Sequence, residues 1–209
     1  KFQGAAFDSN SNKIIIAYMD AGNSEHGTAI VGTVNNSDNS ISFGSEVVFQ
    51  NSAIRDDAVG MSVVFDSNVN RVVICYRDNN YKGSAIVGTV SGTSISFGTA
   101  VVFSDASTDG ISAAFDSNVN KVAIAYNLGD AGKGIVGTVD SSDNSISFGS
   151  EAALANTNVS ESKSTVFDSS SNKIVVSYGN TSNSTIGTSV VGTISGTNIS
   201  FGTPVVFNN

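Results

Sequence analysis

The sequence has no tryptophan, one cysteine, one histidine and one proline in 209 residues. A single cysteine, Cys75, rules out an intramolecular disulfide. A single histidine, His26, rules out a zinc centre built on several imidazoles. It also leaves one residue for a Ser-His-Asp triad, and no nucleophile-elbow motif accompanies it, so His26 is expected in a solvated loop. Without tryptophan, a sialidase-like Ser-x-Asp-x-Gly-x-x-Trp turn is missing, and Tyr81 is the loop aromatic placed for stacking on a sugar.

Charge is also scarce. Charged residues make up 13% of the chain, against about 25% in ordinary soluble domains, so its polar surface must be Ser, Thr, Asn and Gly. The net charge of -8 and the lack of any Lys/Arg cluster argue against nucleic acid and against anionic membranes as partners. No apolar run approaches the roughly 20 residues that span a bilayer, so membrane insertion is not expected. No apolar pattern of helical period persists, and a helix-borne phosphate site is therefore not expected. This composition points to an extracellular or virion-surface setting, and a start at Lys1 fits either a processed secreted protein or an excised fragment.

What the chain does have is a repeat. Phe7, Phe65, Phe115 and Phe167 mark four units, and each is followed eleven positions later by Tyr18, Tyr76, Tyr126 or Tyr178. Val-Gly-Thr recurs at 31–33, 87–89, 136–138 and 191–193, and Ser-Phe-Gly at 42–44, 96–98, 147–149 and 200–202. Each unit reads as four strands, in the first copy Gly4 to Phe7, Lys13 to Tyr18, Thr28 to Val34 and Ser40 to about Phe49. Ile14, Ile15 and Ile16 are consecutive, so the second strand should have something packed on each face. Cys75 shares its position with Ala17, Ala125 and Ser177, which marks it as a small packing residue.

Four-stranded units of about 50 residues are the pattern of propeller blades. The expected fold is all-β, a four-bladed β-propeller forming one domain over residues 1–209, with repeats at approximately 1–54, 55–105, 106–157 and 158–209. Half of a larger ring closed by dimerisation and a β-solenoid are the alternatives. The copies begin and end in phase, so no spare strand interlocks the last blade with the first.

Two connections are nearly constant among the copies and two vary. Those joining strands one and two (Asp8 to Asn12 and its counterparts) and strands three and four repeat closely. Those joining strands two and three (19–27, 77–83, 127–134, 179–187) and the inter-unit segments (50–61, 104–111, 155–163) differ in length and residue. In an up-and-down blade both variable sets emerge on one face, and loops on a rigid scaffold carry binding. The candidate ligand-binding residues are Asp20, Glu25, His26, Arg55, Asp56, Asp57, Arg77, Asp78, Tyr81, Lys82, Asp109, Asp130 and Lys133, with Asp105 beside them.

Asp8-x-Asn10-x-Asn12 has the opening of a calcium loop, but a Lys or Arg follows where Gly belongs, and Asx turns explain the pattern without metal. Asp56 and Asp57 are the acid pair on which a glycosidase reading would rest, and adjacent loop acids are ordinarily solvated turn residues. No catalytic residue, cofactor or metal is assigned.

Phe-Asp-Ser-Asn, Lys-Ile/Val-x-Ile-x-Tyr, Ile-Val-Gly-Thr-Val and Ile-Ser-Phe-Gly-Thr together resemble β-propeller-type repeats of uncharacterised marine bacterial and phage surface proteins. The resemblance covers almost the whole chain and rests on structural motifs, so it implies a repeat-built surface protein and transfers no functional residue. The expected function is a non-enzymatic module binding a glycan or protein through the variable face. A structural spacer in a phage fibre or adhesin, or a glycosidase-like enzyme, are the alternatives, and an oligomer stays open.

Overall fold

The computed structural model describes residues 3–54, 60–156, 158–182 and 186–208. Val, Ile, Phe and Tyr suit a pleated, packed surface, and the runs rich in them are strands. The first unit comprises β1 (Gln3–Asp8), β2 (Lys13–Asp20), β3 (His26–Asn35), β4 (Ser40–Phe43) and β5 (Val47–Ala53). In the second, β6 (Ser62–Asp66), β7 (Arg71–Arg77), β8 (Lys82–Ser91) and β9 (Ser94–Phe97) lead into β10 (Val101–Asp116). The third adds β11 (Lys121–Leu128), β12 (Ala131–Asp140), β13 (Ser145–Phe148) and β14 (Ala152–Ala155). The fourth has β15 (Val159–Asp168), β16 (Lys173–Asn180), β17 (Ile186–Ser195), β18 (Asn198–Phe201) and β19 (Val205–Asn208).

All pairings are antiparallel. β4 and β5 lie in line along β3, so they are one fourth strand broken near Gly44, as are β13 with β14 on β12 and β18 with β19 on β17. β10 breaks this rule. Its first part pairs with β8 and its second with β11, through bulges near Ser104 and between Asp109 and Ser112, which fuses the second and third units into one nine-stranded sheet flanked by two five-stranded sheets.

The constant turns are built as their sequence suggests. Asp8 Oδ1 accepts the N–H groups of Asn10 (2.9 Å) and Ser11 (3.0 Å), and Asn12 closes the loop at φ 55°. Asp66, Asp116 and Asp168 accept equivalent bonds, so these side chains serve as Asx caps. The Ser171 and Ser170 hydroxyls, with their backbone N–H groups, hold the Asp168 carboxyl far below the usual range.

Successive first strands lie side by side, and the units stack face to face through them. Three apolar clusters result. One joins units one and two around Ile15, Val31, Ile74 and Tyr76, the next joins two and three around Cys75, Val87, Ile124 and Tyr126, and the last joins three and four around Ala125, Val136, Val176 and Tyr178. Cys75 is fully buried in the second, and burial pushes its thiol up to about 12. Stacking this close needs the glycine of the first three Ser-Phe-Gly motifs. A Cβ on Gly44, Gly98 or Gly149 would stand 1.8, 2.3 or 1.7 Å from the carbonyl oxygen of Thr93, Asn144 or Thr197 in the next unit.

The expected closed ring of four is not what the described residues form. No apolar cluster joins units one and four, and each keeps an open face. Phe7 and Phe43 are exposed at one end, Val191 and Phe207 at the other. The expectation that the second strand is packed on both faces holds for β7 and β11, whereas β2 and β16 are buried on alternate residues, because each has one neighbouring unit instead of two.

Candidate functional site at the variable loop end

Each turn between a unit's second and third strands is tied by backbone bonds to the segment leading into the next unit. Ile54 N–H donates to Glu25 O (2.9 Å), Thr108 N–H to Tyr81 O (2.9 Å) and Val159 N–H to Asp130 O (3.0 Å). Both variable sets therefore share one end of the stack. Among the predicted residues, Arg55, Asp56 and Asp57 lie outside the described residues.

In the first unit the charges serve the turn. Asp20 accepts Gly22 N–H through Oδ1 (2.9 Å) and Asn23 and Glu25 N–H through its carbonyl, and Glu25 takes φ 62°. His26, expected in a solvated loop, instead begins β3, half-buried, because its backbone pairs with Asp20 and with Ala53.

The loop end of the second unit gathers the largest group of the predicted residues. Arg77 ends β7 and is buried; its Nη1 pairs with Asp109 on β10 (2.7 Å), its Nη2 donates to Ser107 (3.3 Å), and its guanidinium lies 4.5 Å from the Tyr81 ring centroid. Asp78, also buried, accepts the N–H groups of Asn80 (2.8 Å) and Lys82 (2.9 Å) and the Ser84 hydroxyl (3.3 Å). Lys82 pairs with Asp105, which holds its ammonium pKa up. These groups pair with one another and bolt the second unit's turn to β10. Among their buried side-chain atoms, Arg77 Nε alone has no hydrogen-bond partner among the described residues.

At the junction of the third and fourth units the same place is open. Asn127 follows Tyr126 as Arg77 follows Tyr76, but its shorter side chain leaves a cleft of about 380 Å³. The cleft is lined by Asn127, Gly129, Asp130, Val159, Ser160, Ser162 and Thr181. Asn127 is 1% exposed; its Nδ2 donates to Val159 O (2.8 Å), and its Oδ1 has no hydrogen-bond partner among the described residues. Asp130 was among the predicted residues. Asn127, Ser160, Ser162 and Thr181 carry no charge that marks them in the sequence; the signal for Asn127 is the position after each repeat tyrosine, where Met19, Arg77, Asn127 and Gly179 all differ. Lys133 is drawn away from the loops, into β12, where it pairs with Glu151 (2.8 Å); Glu151 also accepts the Tyr126 hydroxyl (2.8 Å). Burial acts to raise the Glu151 carboxyl, and Lys133 with Tyr126 outweighs it and holds it below its ordinary value.

No family model and no curated protein matches the chain. Among solved structures it is similar to AofleA from Arthrobotrys oligospora, with 10% identity and a TM-score of 0.52 over 98% of this chain and 58% of that one. At that identity the likeness concerns the fold alone, an all-β chain that spans little more than half of its neighbour's length.

Proposed function

We propose that the four units are consecutive propeller blades and that the protein is a non-enzymatic binding module of a cell or virion surface, holding a glycan at its variable loop end. The observation that carries this reading is the cleft between the third and fourth units. Its volume of about 380 Å³ falls in the roughly 300–1,000 Å³ range of small-ligand sites. Its described lining residues offer an amide, three hydroxyls and one carboxylate, a donor and acceptor set suited to a neutral, hydroxyl-rich ligand. Glycoside hydrolysis needs two carboxyl groups at a set separation, and Asp130 is the one acid among the described lining residues. A buried amide oxygen awaiting a donor is the feature a ligand hydroxyl would satisfy. The spacer reading has one observation in its favour, the open faces of the end units, and it differs in predicting no ligand.

The test is a glycan and bacterial-polysaccharide array, run with and without calcium, followed by calorimetry on any hit. A calcium-independent hit weakened at least about tenfold by Asn127→Ala, which removes the amide, or by Asp130→Asn, which removes a charge and turns one acceptor oxygen into a donor, supports the cleft. Binding that survives both, or that is lost instead with Asp78→Ala, moves the site elsewhere; no hit from folded protein supports the spacer.

A further inference from the structure

The internal junctions follow one plan, with an aromatic ring at the first two and Leu154 at the third. An aromatic ring from one unit's fourth strand seats on the tyrosine and the Ser-Phe-Gly phenylalanine of the next. Phe49 lies 5.2 Å from Tyr76 and 5.7 Å from Phe97, and Phe103 lies 5.2 Å from Tyr126 and 5.7 Å from Phe148. Leu154 fills this position in the cluster with Tyr178 and Phe201. The Ser-Phe-Gly glycine of one unit receives the next unit's turn, and a first-strand serine accepts its backbone: Ala113 N–H donates to Ser62 Oγ (3.0 Å) and Thr165 N–H to Ser112 Oγ (2.9 Å).

The fourth unit displays the donating half of this junction with nothing on it. Phe207 is 67% exposed where Phe49 and Phe103 are 8% exposed, and Val191 is 48% exposed where Val31, Val87 and Val136 are at 0%. Ser164, the counterpart of Ser62 and Ser112, is exposed. A Cβ on Gly202 would meet one atom, Val191 O of the neighbouring β17 in the same unit at 3.7 Å, so this glycine has lost the close approach that explains its three counterparts. The first unit displays the receiving half. Phe43 is 49% exposed and Ile41 is 42% exposed where Ile95 and Ile146 are 3% exposed. Its turn at Ser37, Asp38 and Asn39 repeats Ser142, Asp143 and Asn144, down to left-handed Asn39 (φ 58°) and Asn144 (φ 56°).

The geometry points to a second copy of this chain as the occupant: the Phe207 face of one copy seats on the Tyr18–Phe43 face of the other, and two copies close head to tail. The inference rests on reading the units as blades and is independent of any ligand. Both halves are chemically those of the three internal junctions, so the contact needs no new surface. A head-to-tail contact either closes or propagates, and two copies bring eight units, the upper end of the usual four to eight blades, whereas three would exceed it.

Light scattering on the purified chain during size exclusion tests this directly. The expected mass is twice the 21.3 kDa of one chain. Phe207→Asp and Phe43→Asp should each give the single-chain mass with an unchanged circular dichroism spectrum, because both side chains are already exposed within one chain. A wild-type monomer at micromolar concentration overturns the proposal, as does a Phe207→Asp variant that keeps the doubled mass. A mass that climbs steadily with concentration overturns closure by two copies.

Discussion

The junction between the second and third units and that between the third and fourth share a backbone plan and differ at one decisive position. Where Arg77 stands, its guanidinium fills the loop end, pairs with Asp109 and lies against Tyr81. Where Asn127 stands, a cleft opens beside it. Of these two junctions, the long side chain after the tyrosine closes one and the shorter side chain leaves the other open. Charge in the variable loops marks the closed junction and modest polarity the open one, so a search for ionic residues is drawn to the closed junction.

The largest expected effect concerns what the junctions share. Burial, reinforced in Tyr126 by Glu151, raises the hydroxyls of Tyr76 and Tyr126 well above their ordinary value, and burial raises Tyr178 as well. The folded chain then keeps protons that the unfolded chain gives up near pH 10, so this stability is complete below about pH 10 and lost as pH climbs past it. Denaturant melts between pH 8 and 12 should show the midpoint falling only above that value; a flat profile would refute the buried tyrosines.

Arg77→Ala comes next. It strands Asp109 and opens a second cleft, and it should cost about 3 kcal/mol, the usual loss when one partner of a buried pair is removed, seen as a lower denaturation midpoint. Lys82→Ala removes an exposed pair with Asp105 and should leave the same midpoint within error. Equal effects from the two variants would mean that the closed junction is not closed by Arg77.

Much of the fold is legible in residue order because repetition compares the chain with itself. The recurring Phe, Tyr, Val-Gly-Thr and Ser-Phe-Gly locate the strands, and the constancy of Asp8 to Asn12 and its counterparts marks the end built of Asx turns. Ring closure is not legible, since the same apolar residues face a neighbour in the middle units and solvent at Phe43 and Phe207. The site is half legible. Asp130 stands out as an off-pattern acid, but a lone Asn or Ser in a loop has no periodicity, and its importance comes from the cleft left beside it.

The unbroken β10 also shapes how the molecule comes apart. One strand of 16 residues belongs to the hydrogen-bond ladders of two units, so neither can open that edge without disturbing the other. In stacked repeats, stability is a sum of local and neighbour terms, and regions open in cooperative blocks. The middle half of the chain is then one block that opens as a piece, and the end units, each on its own sheet, are the parts that peel away first.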